Sequence, residues 1–540
     1  MRRIAALVAA AMFVCAVTAA SAQERTPAPY PTPRPTATPA AMPAQPATGP
    51  QPGAAPQPGS MRESPAREAA LPDAVTHHTV VVGGRTLAYT ARAGTIPLRT
   101  TAGDETAQVF SVAYTLDGAD RRTRPVTFVW NGGPGSSTMW LHMASYGPVR
   151  VAIPSNATPP APGTPYAANP DTLLDLTDLV FIDAVGTGYS RIVGKGTPSM
   201  FFGIDEDADA FDTFIREWTT RNDRWGSPKF LFGESYGTTR AAGVVDRLQA
   251  HGMAIDGVVL LSSVLDFNVI DNGGGPGEDY GYIAFLPTEA AVAWYHHAVP
   301  GNPPDLASFV AQARAFAQGP YAAALQRGDQ LDAASRRTVV AQIHAFTGLD
   351  SRYIERADLR IDPSRFEHEL LAARGITTGR LDGRYQGPTA DRTADATRYD
   401  PTSDSGLTDA IVSGFSAYLR DDLDYRADRP YLGTNYPVVG AHWNQRVRNS
   451  ILTANVAGHL RTALIENPYL RVFSANGYYD LATPFFGTEY TLGHLRLPPT
   501  LRSHIEYGFY PSGHMVYLND EARRAFKADL VRFYGEATAR

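Results

Sequence analysis

Alternating apolar and polar residues predict that the folded part of the chain begins with antiparallel strands at about residue 75. Residues 79–82 and 85–89 follow this pattern, and only Gly83-Gly84 separates them, which is the composition of a two-residue β-hairpin turn. Residues 108–116 alternate in the same way and predict a further strand of the same sheet.

Short, fully apolar runs follow, and helical patterns separate several of them. Amphipathic spacing predicts helices at residues 207–219 and 238–250. Antiparallel strands followed by alternating strands and helices indicate an α/β fold with a mixed central sheet. The runs that we interpret as buried strands are residues 126–130, 179–182, 230–232, 258–261, 470–473 and 504–509.

The pattern changes between residues 271 and 445, where helical spacing dominates. Apolar residues from 306 to 316 share one helical face, and Asp305 precedes them as an N-cap. Residues 286–298 and 336–346 also have helical spacing. We interpret residues 271–445 as a large, mostly helical cap insertion.

The cap interrupts a single domain, because the sheet pattern resumes at Leu470. We therefore predict one α/β core in two parts, residues 73–270 and residues 446–540. Within the cap, residues 374–408 are polar and rich in Gly, Asp, Arg and Thr, which predicts a loop.

The first residues have the pattern of an export signal. Arg2 and Arg3 precede the apolar run of residues 4–17, and Ala20-Ser-Ala22 matches an A-x-A cleavage site. We predict a signal peptide over residues 1–22 and an exported protein, either periplasmic or secreted. A membrane anchor is the alternative, but the run is too short to span a bilayer well.

Residues 23–72 form a segment rich in proline and alanine, in which prolines recur from Pro27 to Pro65. Such a segment cannot bury enough apolar surface to fold, and proline favours extended conformations. We interpret it as a disordered tether that acts as a passive spacer. Nothing in the sequence supports a cell-wall or partner-binding role for it.

Composition excludes several classes of protein. With 44% hydrophobic and 19% charged residues, the 540-residue chain can bury a large core. A net charge of −6 and scattered arginines argue against a nucleic-acid partner. After the N-terminal run, no apolar stretch predicts a membrane span. The single cysteine, Cys15, excludes a disulfide framework and a thiolate zinc site.

The segment Gly233-Glu-Ser-Tyr-Gly237 matches the G-x-S-x-G nucleophile elbow, a tight strand-to-helix turn that exposes a serine hydroxyl. A match of only five residues is by itself weak evidence for a nucleophile. Here a predicted strand precedes it and a predicted helix follows it, as the elbow requires. The pattern therefore makes Ser235 the candidate nucleophile.

A serine hydroxyl needs a base that removes its proton and a third group that orients the base. Asp480 follows a predicted strand through a turn containing Asn476-Gly477, and His514 follows the next predicted strand. Both lie just past strand ends, where α/β sheets hold their active sites, and after the serine in the expected order. We predict a triad of Ser235, Asp480 and His514.

Two glycine-rich turns follow other predicted strands. The backbone N–H groups of Asn131-Gly-Gly-Pro-Gly-Ser136 are free to point at a developing oxyanion, although a turn that merely ends a strand is the alternative. The second turn, Asp183-Ala-Val-Gly-Thr-Gly188, lacks the complete fingerprint of a dinucleotide-binding loop.

Taken in chain order, these motifs resemble the serine carboxypeptidase family of α/β-hydrolases. They are the Asn131 turn, residues 183–190, the Ser235 elbow, Asp480 and Gly513-His-Met515. The resemblance extends from about residue 75 to the C-terminus, and the first turn and the elbow are its most specific parts. It implies an α/β-hydrolase fold with a mixed central sheet, and the cap carries no motif that matches.

The resemblance implies catalytic roles for five residues. Ser235 is expected as the nucleophile, His514 as the base and Asp480 as the group that orients the base. The N–H groups of Gly133 and Tyr236 are expected to form the oxyanion hole. The resemblance implies no metal and no organic cofactor.

The resemblance also implies a site for the terminal carboxylate of the substrate. Asn131 and Glu234 are expected to hold this group, and the Gly132 N–H is expected to help. A protonated Glu234 donates a hydrogen bond to the anion, whereas an ionised Glu234 repels it. The expected partners are therefore peptides with a free C-terminus. The sequence does not indicate an oligomeric state.

Five positions depart from the pattern of the family, and none belongs to the predicted triad. Ser145, just before Tyr146-Gly-Pro148, replaces a glutamate that in family members pairs with the elbow glutamate. This replacement argues against a strongly acid pH preference. In the other four departures, Ser136 replaces a cysteine, Ala184 replaces a proline, Tyr478 replaces an aspartate and Tyr517 replaces a proline.

The sequence thus predicts an exported serine carboxypeptidase that releases C-terminal amino acids through an acyl-serine intermediate. An esterase or acyltransferase with the same machinery is one alternative, because another nucleophile can capture an acyl-enzyme. A catalytically silent exported binding protein is a second, and the intact triad argues against it. Side-chain preference cannot be deduced, because the unmatched cap is expected to shape the pockets.

Overall fold

A ten-stranded mixed sheet forms the centre of the protein. The structure, a computed structural model, describes residues 73–270, 275–447 and 454–539. The predicted signal peptide and tether, residues 1–22 and 23–72, lie outside the described residues. The strands are β1 (Ala74–Val82), β2 (Arg85–Arg99), β3 (Glu105–Leu116), β4 (Val126–Trp130), β5 (Val149–Val151), β6 (Tyr166–Ala168), β7 (Asp178–Ile182), β8 (Arg191–Ile192), β9 (Lys229–Glu234), β10 (Gly257–Leu261), β11 (Ile376–Thr378), β12 (Gln386–Pro388), β13 (Arg471–Gly477) and β14 (Ile505–Tyr510).

The strands of the main sheet lie in the order β1-β2-β3-β7-β4-β9-β10-β13-β14, and β8 pairs with β3. Neighbours from β1 to β7 are antiparallel, and neighbours from β7 to β14 are parallel. The predicted mixed sheet is therefore confirmed. Because the parallel strands share one direction, the loops that follow them meet at one edge of the sheet.

The first two strands form the hairpin that the sequence predicts. Val82 pairs with Arg85, and the two intervening residues, Gly83 and Gly84, have φ of 55° and 79°. Positive φ at both central positions defines the turn type that matches the twist of adjacent strands, and glycine adopts it without steric cost.

Helices connect the parallel strands, and several helices belong to the stretch of chain that links β10 to β13. They are α1 (Met139–Leu141), α2 (Ile204–Arg221), α3 (Tyr236–Ala250), α4 (Tyr280–Tyr295), α5 (Leu306–Phe316), α6 (Ala322–Arg327), α7 (Ala333–Thr347), α8 (Ser351–Arg356), α9 (Pro363–Glu369), α10 (Leu407–Asp421), α11 (Tyr436–His442), α12 (Ala457–Glu466), α13 (Phe485–Gly493), α14 (Pro499–Arg502) and α15 (Asp520–Thr538).

Apolar side chains cover both faces of the central sheet. In β4, Phe128 and Trp130 belong to the apolar layer that contains α2, α3 and α12, whereas Val129 belongs to the layer that contains α15. Successive side chains of a strand point to opposite faces, so burial on both faces requires an uninterrupted apolar run. This requirement explains why the central strands were recognisable in the sequence as short apolar runs.

The residues between β10 and β13 form several helices and one small hairpin, β11–β12. Helices α4, α5 and α7 share a separate apolar core. The Asp305 carboxylate accepts a hydrogen bond of 2.7 Å from the Ser308 N–H and so caps α5, as predicted. Helix α10 instead packs in the same apolar layer as α15. The boundaries of the cap at residues 271 and 445 stay a prediction.

In three places the structure differs from the sequence prediction. Asn476-Gly477 lies inside β13 rather than in a turn, because the Asn476 amide donates to Gly508 O of the neighbouring strand at 3.2 Å. Helix α4 begins at Tyr280 and passes through Pro287, where burial in the cap core outweighs the poor helix propensity of proline. The predicted loop of residues 374–408 contains the β11–β12 hairpin.

Candidate active site

Loops that follow β4, β9, β10, β13 and β14 surround one cavity of about 620 Å³, and residues of the predicted cap also line it. The structure brings seven of the eight predicted site residues to this cavity. They are Asn131, Gly132, Gly133, Glu234, Ser235, Tyr236 and His514. Asp480, the eighth, is fully buried and hydrogen-bonded to His514.

Ser235 occupies the tight turn between β9 and α3, with φ of 60° and ψ of −132°. A positive φ in a residue with a side chain costs about 1–3 kcal/mol and persists only where the surroundings hold it. Here the Ser235 N–H donates to Leu261 O at 2.9 Å, and Ser235 O accepts from the Thr238 N–H at 2.8 Å. A Cβ on Gly233 would overlap the backbone of Gly237, so the elbow requires glycine at that position.

His514 and Asp480 form a buried hydrogen-bonded pair. Nδ1 of His514 lies 2.8 Å from Oδ2 of Asp480. Oδ1 of Asp480 accepts the N–H groups of Ala482 and Thr483, each at 2.9 Å, which fixes the carboxylate. Because Nδ1 faces the carboxylate, Nε2 is the nitrogen that remains for a reacting group in the cavity shared with Ser235.

Sequence reasoning missed Thr483, whose hydroxyl contacts both members of this pair. Oγ1 lies 2.7 Å from Asp480 Oδ2 and 3.1 Å from His514 Nδ1. The signal that could have found it is its position three residues after Asp480, where an aspartate commonly accepts hydrogen bonds from its own turn. Thr483 thus holds Asp480 and His514 in one geometry.

Two further contacts fix the backbone of His514. Its N–H donates to Leu381 O, in the β11–β12 loop, at 2.6 Å, and its carbonyl accepts from Ser262 Oγ, just after β10, at 2.6 Å. The loop that carries His514 is therefore held from the cap on one side and from the sheet on the other.

The pKa of His514 is raised from its ordinary value. Burial alone would lower it, because burial disfavours the charged imidazolium. The Asp480 carboxylate outweighs burial through its charge and its hydrogen bond, and the charge of Glu234 acts in the same direction. An imidazole whose cationic form is stabilised in this way is a stronger base.

The first glycine turn packs directly against the elbow. A Cβ on Gly132 would lie 2.5 Å from the nitrogen of Tyr236 and 2.6 Å from that of Gly237, so the two backbones can approach only because residue 132 is glycine. Gly133, with φ of 112°, lines the cavity beside Ser235. This close approach brings the backbones of Gly133 and Tyr236 to the same part of the cavity.

Buried polar contacts hold the Asn131 turn in position. Oδ1 of Asn131 accepts the N–H of Leu141 at 2.9 Å, and Asn131 O accepts from Arg240 at 2.7 Å. Arg240, which sequence reasoning did not single out, is itself paired with buried Asp207 at 2.8 Å. The other predicted glycine turn braces the same region, because Asp183 accepts the Thr138 N–H at 2.9 Å.

Glu234 is the second ionisable group in the wall of the cavity. Burial raises its pKa to about 7, although the positive charge of His514 and hydrogen bonds from Tyr517 and Asn131 act in the opposite direction. The Tyr517 hydroxyl donates to Oε2 of Glu234 at 2.8 Å. Near neutral pH, therefore, a substantial fraction of Glu234 carries a proton and can donate a hydrogen bond.

Ser145, the predicted departure beside the elbow glutamate, makes a different contact. Its hydroxyl donates to Leu141 O inside the turn that continues α1. The Glu234 carboxyl is instead contacted by Tyr517, which stands where family members often have a proline.

Among the described residues, no group of three or more His, Cys, Asp or Glu side chains has the arrangement of a metal site. None of the helices in this part of the chain has the length and apolar composition that crossing a bilayer requires.

The serine carboxypeptidase family model matches residues 99–257. This stretch contains the Asn131 turn and the Ser235 elbow, whereas Asp480 and His514 lie beyond it. The match confirms the resemblance to serine carboxypeptidases and, with it, the class of enzyme. A comparison with curated protein sequences gives no match.

Comparison with solved structures finds matches to other enzymes. Kex1Δp, a prohormone-processing carboxypeptidase from Saccharomyces cerevisiae, superposes with a TM-score of 0.50 at 15% identity, covering 83% of this chain and 91% of that chain. The likeness to this carboxypeptidase shows the α/β-hydrolase fold. A proline iminopeptidase from Mycobacterium smegmatis has a TM-score of 0.34 at 12% identity, covering 86% of this chain and 99% of that chain.

Proposed function

We propose that the protein is an exported serine carboxypeptidase that removes single amino acids from the C-terminus of peptides. The observation that carries the proposal is the Glu234 carboxyl, which lies next to Ser235 in the same cavity and has a pKa of about 7. A hydrolase that acts on simple esters needs no such group. A carboxypeptidase can use one, because it must bind the terminal carboxylate of its substrate close to the nucleophile.

In the first step, Ser235 Oγ attacks the carbonyl carbon of the last peptide bond. Nε2 of His514 takes the serine proton, while Asp480 holds the imidazole by Nδ1 and stabilises the cation that forms. The N–H groups of Gly133 and Tyr236 donate to the negative oxygen of the tetrahedral intermediate. His514 then gives the proton to the leaving amine, the C–N bond breaks, and the terminal amino acid departs.

In the second step, water hydrolyses the acyl-Ser235 intermediate. His514 removes a proton from the water, the hydroxide adds to the acyl carbon, and collapse of the intermediate returns the proton to Ser235 Oγ. The products are the shortened peptide and the free enzyme. Throughout acylation, Asn131, the Gly132 N–H and protonated Glu234 would hold the terminal carboxylate.

Export is part of the proposal and rests on the sequence of residues 1–22, with the tether of residues 23–72 after it. The N-terminus of the secreted or periplasmic protein, determined by Edman degradation or mass spectrometry, tests this part. We expect it to start at Gln23. Retention of residues 1–22 on the purified protein would contradict it.

The function is tested with matched peptides that end in a free carboxylate or in an amide. We expect the amide to raise KM sharply, because its terminus offers no anion to Asn131 and Glu234. Equal turnover of both peptides, or turnover of simple esters without peptide cleavage, would favour the esterase alternative.

The role of Ser235 is tested with a fluorophosphonate, which should label Ser235 in the wild type and nothing in Ser235→Ala. The kcat of Ser235→Ala should fall by about 10⁶-fold. Absence of labelling would favour the silent binding protein.

A further inference from the structure

The active-site cavity contains an arginine that the proposed mechanism does not use. Arg380 lies in the β11–β12 loop, lines the cavity and has an exposed side chain. Within the described part of the chain, its guanidinium forms no hydrogen bond and no ion pair. Its backbone is nevertheless firmly placed, because its N–H donates to Asp400 Oδ1 at 2.9 Å, and His514 is bound to the next residue, Leu381, at 2.6 Å.

A second arginine in the same loop, Arg384, differs from Arg380 because its guanidinium forms structural hydrogen bonds. Arg384 is buried and forms two parallel hydrogen bonds with Asp382, at 2.9 Å from Nε and 2.6 Å from Nη2. Nη2 also lies 3.1 Å from Ser512 Oγ. Arg384 therefore fastens the loop to the segment that carries His514. Arg380 makes no comparable contact, so its exposed guanidinium is available to a ligand.

Two aspartates of the cavity wall, Asp400 and Asp404, already accept hydrogen bonds within and next to this loop. Asp400 accepts the N–H groups of Arg380, Leu381 and Thr402, at 2.9, 3.2 and 2.9 Å. Oδ2 of Asp404 accepts the Asp400 N–H at 3.0 Å, and its Oδ1 accepts from Ser403 at 3.0 Å. A basic substrate side chain would share oxygens that already accept these hydrogen bonds, whereas an acidic one would meet the unpaired Arg380.

The charge of Arg380 also reaches the reacting groups. The pKa of His514 is influenced most by burial, which lowers it, and then by Asp480 and Glu234, which together raise it overall. Arg380 opposes that rise. Arg380 likewise opposes the effect of burial on the pKa of Tyr436, on another wall of the cavity. Since Arg380, Ser235 and His514 line the same cavity, a substrate residue near the scissile bond can reach the guanidinium.

From these contacts we infer that Arg380 selects substrates with an acidic side chain, Asp or Glu, at the last or next-to-last position of the peptide. The inference rests on the proposed carboxypeptidase function, in which Asn131 and Glu234 take the terminal carboxylate and leave Arg380 for a second one. A guanidinium suits this purpose, because its parallel N–H groups match the two oxygens of a carboxylate.

The test uses peptides that are identical except for Glu, Gln or Lys at the last or at the next-to-last position. We expect kcat/KM of the wild type to favour Glu over Gln about fivefold at one of these positions, the upper range for an exposed ion pair. Added salt should reduce the preference. In Arg380→Gln the preference should vanish while the Gln peptide is still cleaved, and in Arg380→Lys it should be partly retained.

Arg85→Gln is the matched control, because Arg85 is an exposed arginine at the start of β2 and does not line the cavity. It should keep the preference for Glu. Equal cleavage of Glu and Gln peptides, a preference for Lys, or a preference that survives in Arg380→Gln would overturn the inference and leave the carboxypeptidase function intact. If the wild type cleaves none of these peptides, both the proposed function and this inference are overturned.

Discussion

The Tyr517 hydroxyl donates a hydrogen bond of 2.8 Å to Oε2 of Glu234, and both side chains are buried. In the serine carboxypeptidases that the sequence resembles, a glutamate at the position of Ser145 is expected to pair with the elbow glutamate, whereas here the Ser145 hydroxyl donates to Leu141 O. A second carboxyl would disfavour ionisation of Glu234, whereas a phenol hydroxyl stabilises the ionised form. In this protein, burial is therefore the main reason why the pKa of Glu234 rises to about 7.

Removal of the Tyr517 hydroxyl should move the alkaline limb of the pH profile to higher pH. Tyr517→Phe takes away a donor that favours ionised Glu234, so the pKa of Glu234 should rise further, by about one unit. The protonated form that binds the substrate carboxylate would then persist to higher pH. The measurement is kcat/KM against pH for a peptide with a free C-terminus.

Tyr321→Phe is the control for this substitution. Tyr321 is a buried tyrosine of the cap whose hydroxyl donates to Leu359 O at 2.7 Å, and it does not line the cavity. It should leave the alkaline limb in place. A limb that stays fixed in Tyr517→Phe, or that moves equally in both variants, would show that Tyr517 does not set the ionisation of Glu234.

Thr483 should affect turnover more than binding. Thr483→Val keeps the shape of the side chain but removes the hydroxyl that contacts Asp480 Oδ2 and His514 Nδ1. We expect kcat to fall about tenfold with KM nearly unchanged, because a positioning contact is lost while the triad remains. Asp480→Asn, in comparison, should lower kcat about 10⁴-fold. A KM effect without a kcat effect in Thr483→Val would contradict the positioning role.

The elements of the sheet could be predicted from the sequence because burial on both faces leaves a local signature, an unbroken apolar run such as residues 126–130. The Asn131 turn and the Ser235 elbow could also be predicted, because each directly follows such a run. The contact of Tyr517 with Glu234 could not be predicted, since the two residues lie 283 positions apart and only the folded chain brings them together. The turn predicted at Asn476-Gly477 was wrong for the same reason, because pairing of these residues with β14 overrides their turn propensity.

Substitution of Gly132 should lower kcat strongly without removing any functional side chain. A Cβ at this position would lie 2.5–2.8 Å from backbone atoms of residues 234, 236 and 237, none of which can rotate away. Gly132→Ala should therefore separate the glycine turn from the elbow and lower kcat by about 10²-fold or more. Gly493→Ala is the control, because no atom lies within 4 Å of the added methyl group. Full activity of Gly132→Ala would show that the turn does not contribute to catalysis.

Hydrolysis of peptides with a free C-terminus should be greatest near neutral pH and should fall on both sides. Below about pH 7, Glu234 is protonated and donates to the substrate carboxylate; above it, the ionised group repels that carboxylate, so kcat/KM falls as pH rises. On the acid side His514 becomes protonated and cannot act as a base, and its raised pKa moves this loss to higher pH than for an ordinary histidine. In Glu234→Gln the amide donates at every pH, so the alkaline limb should disappear and the acid limb should remain. An ester substrate without a carboxylate should likewise lack the alkaline limb. If that limb persists in Glu234→Gln, another group causes it, and Glu234 does not bind the substrate terminus.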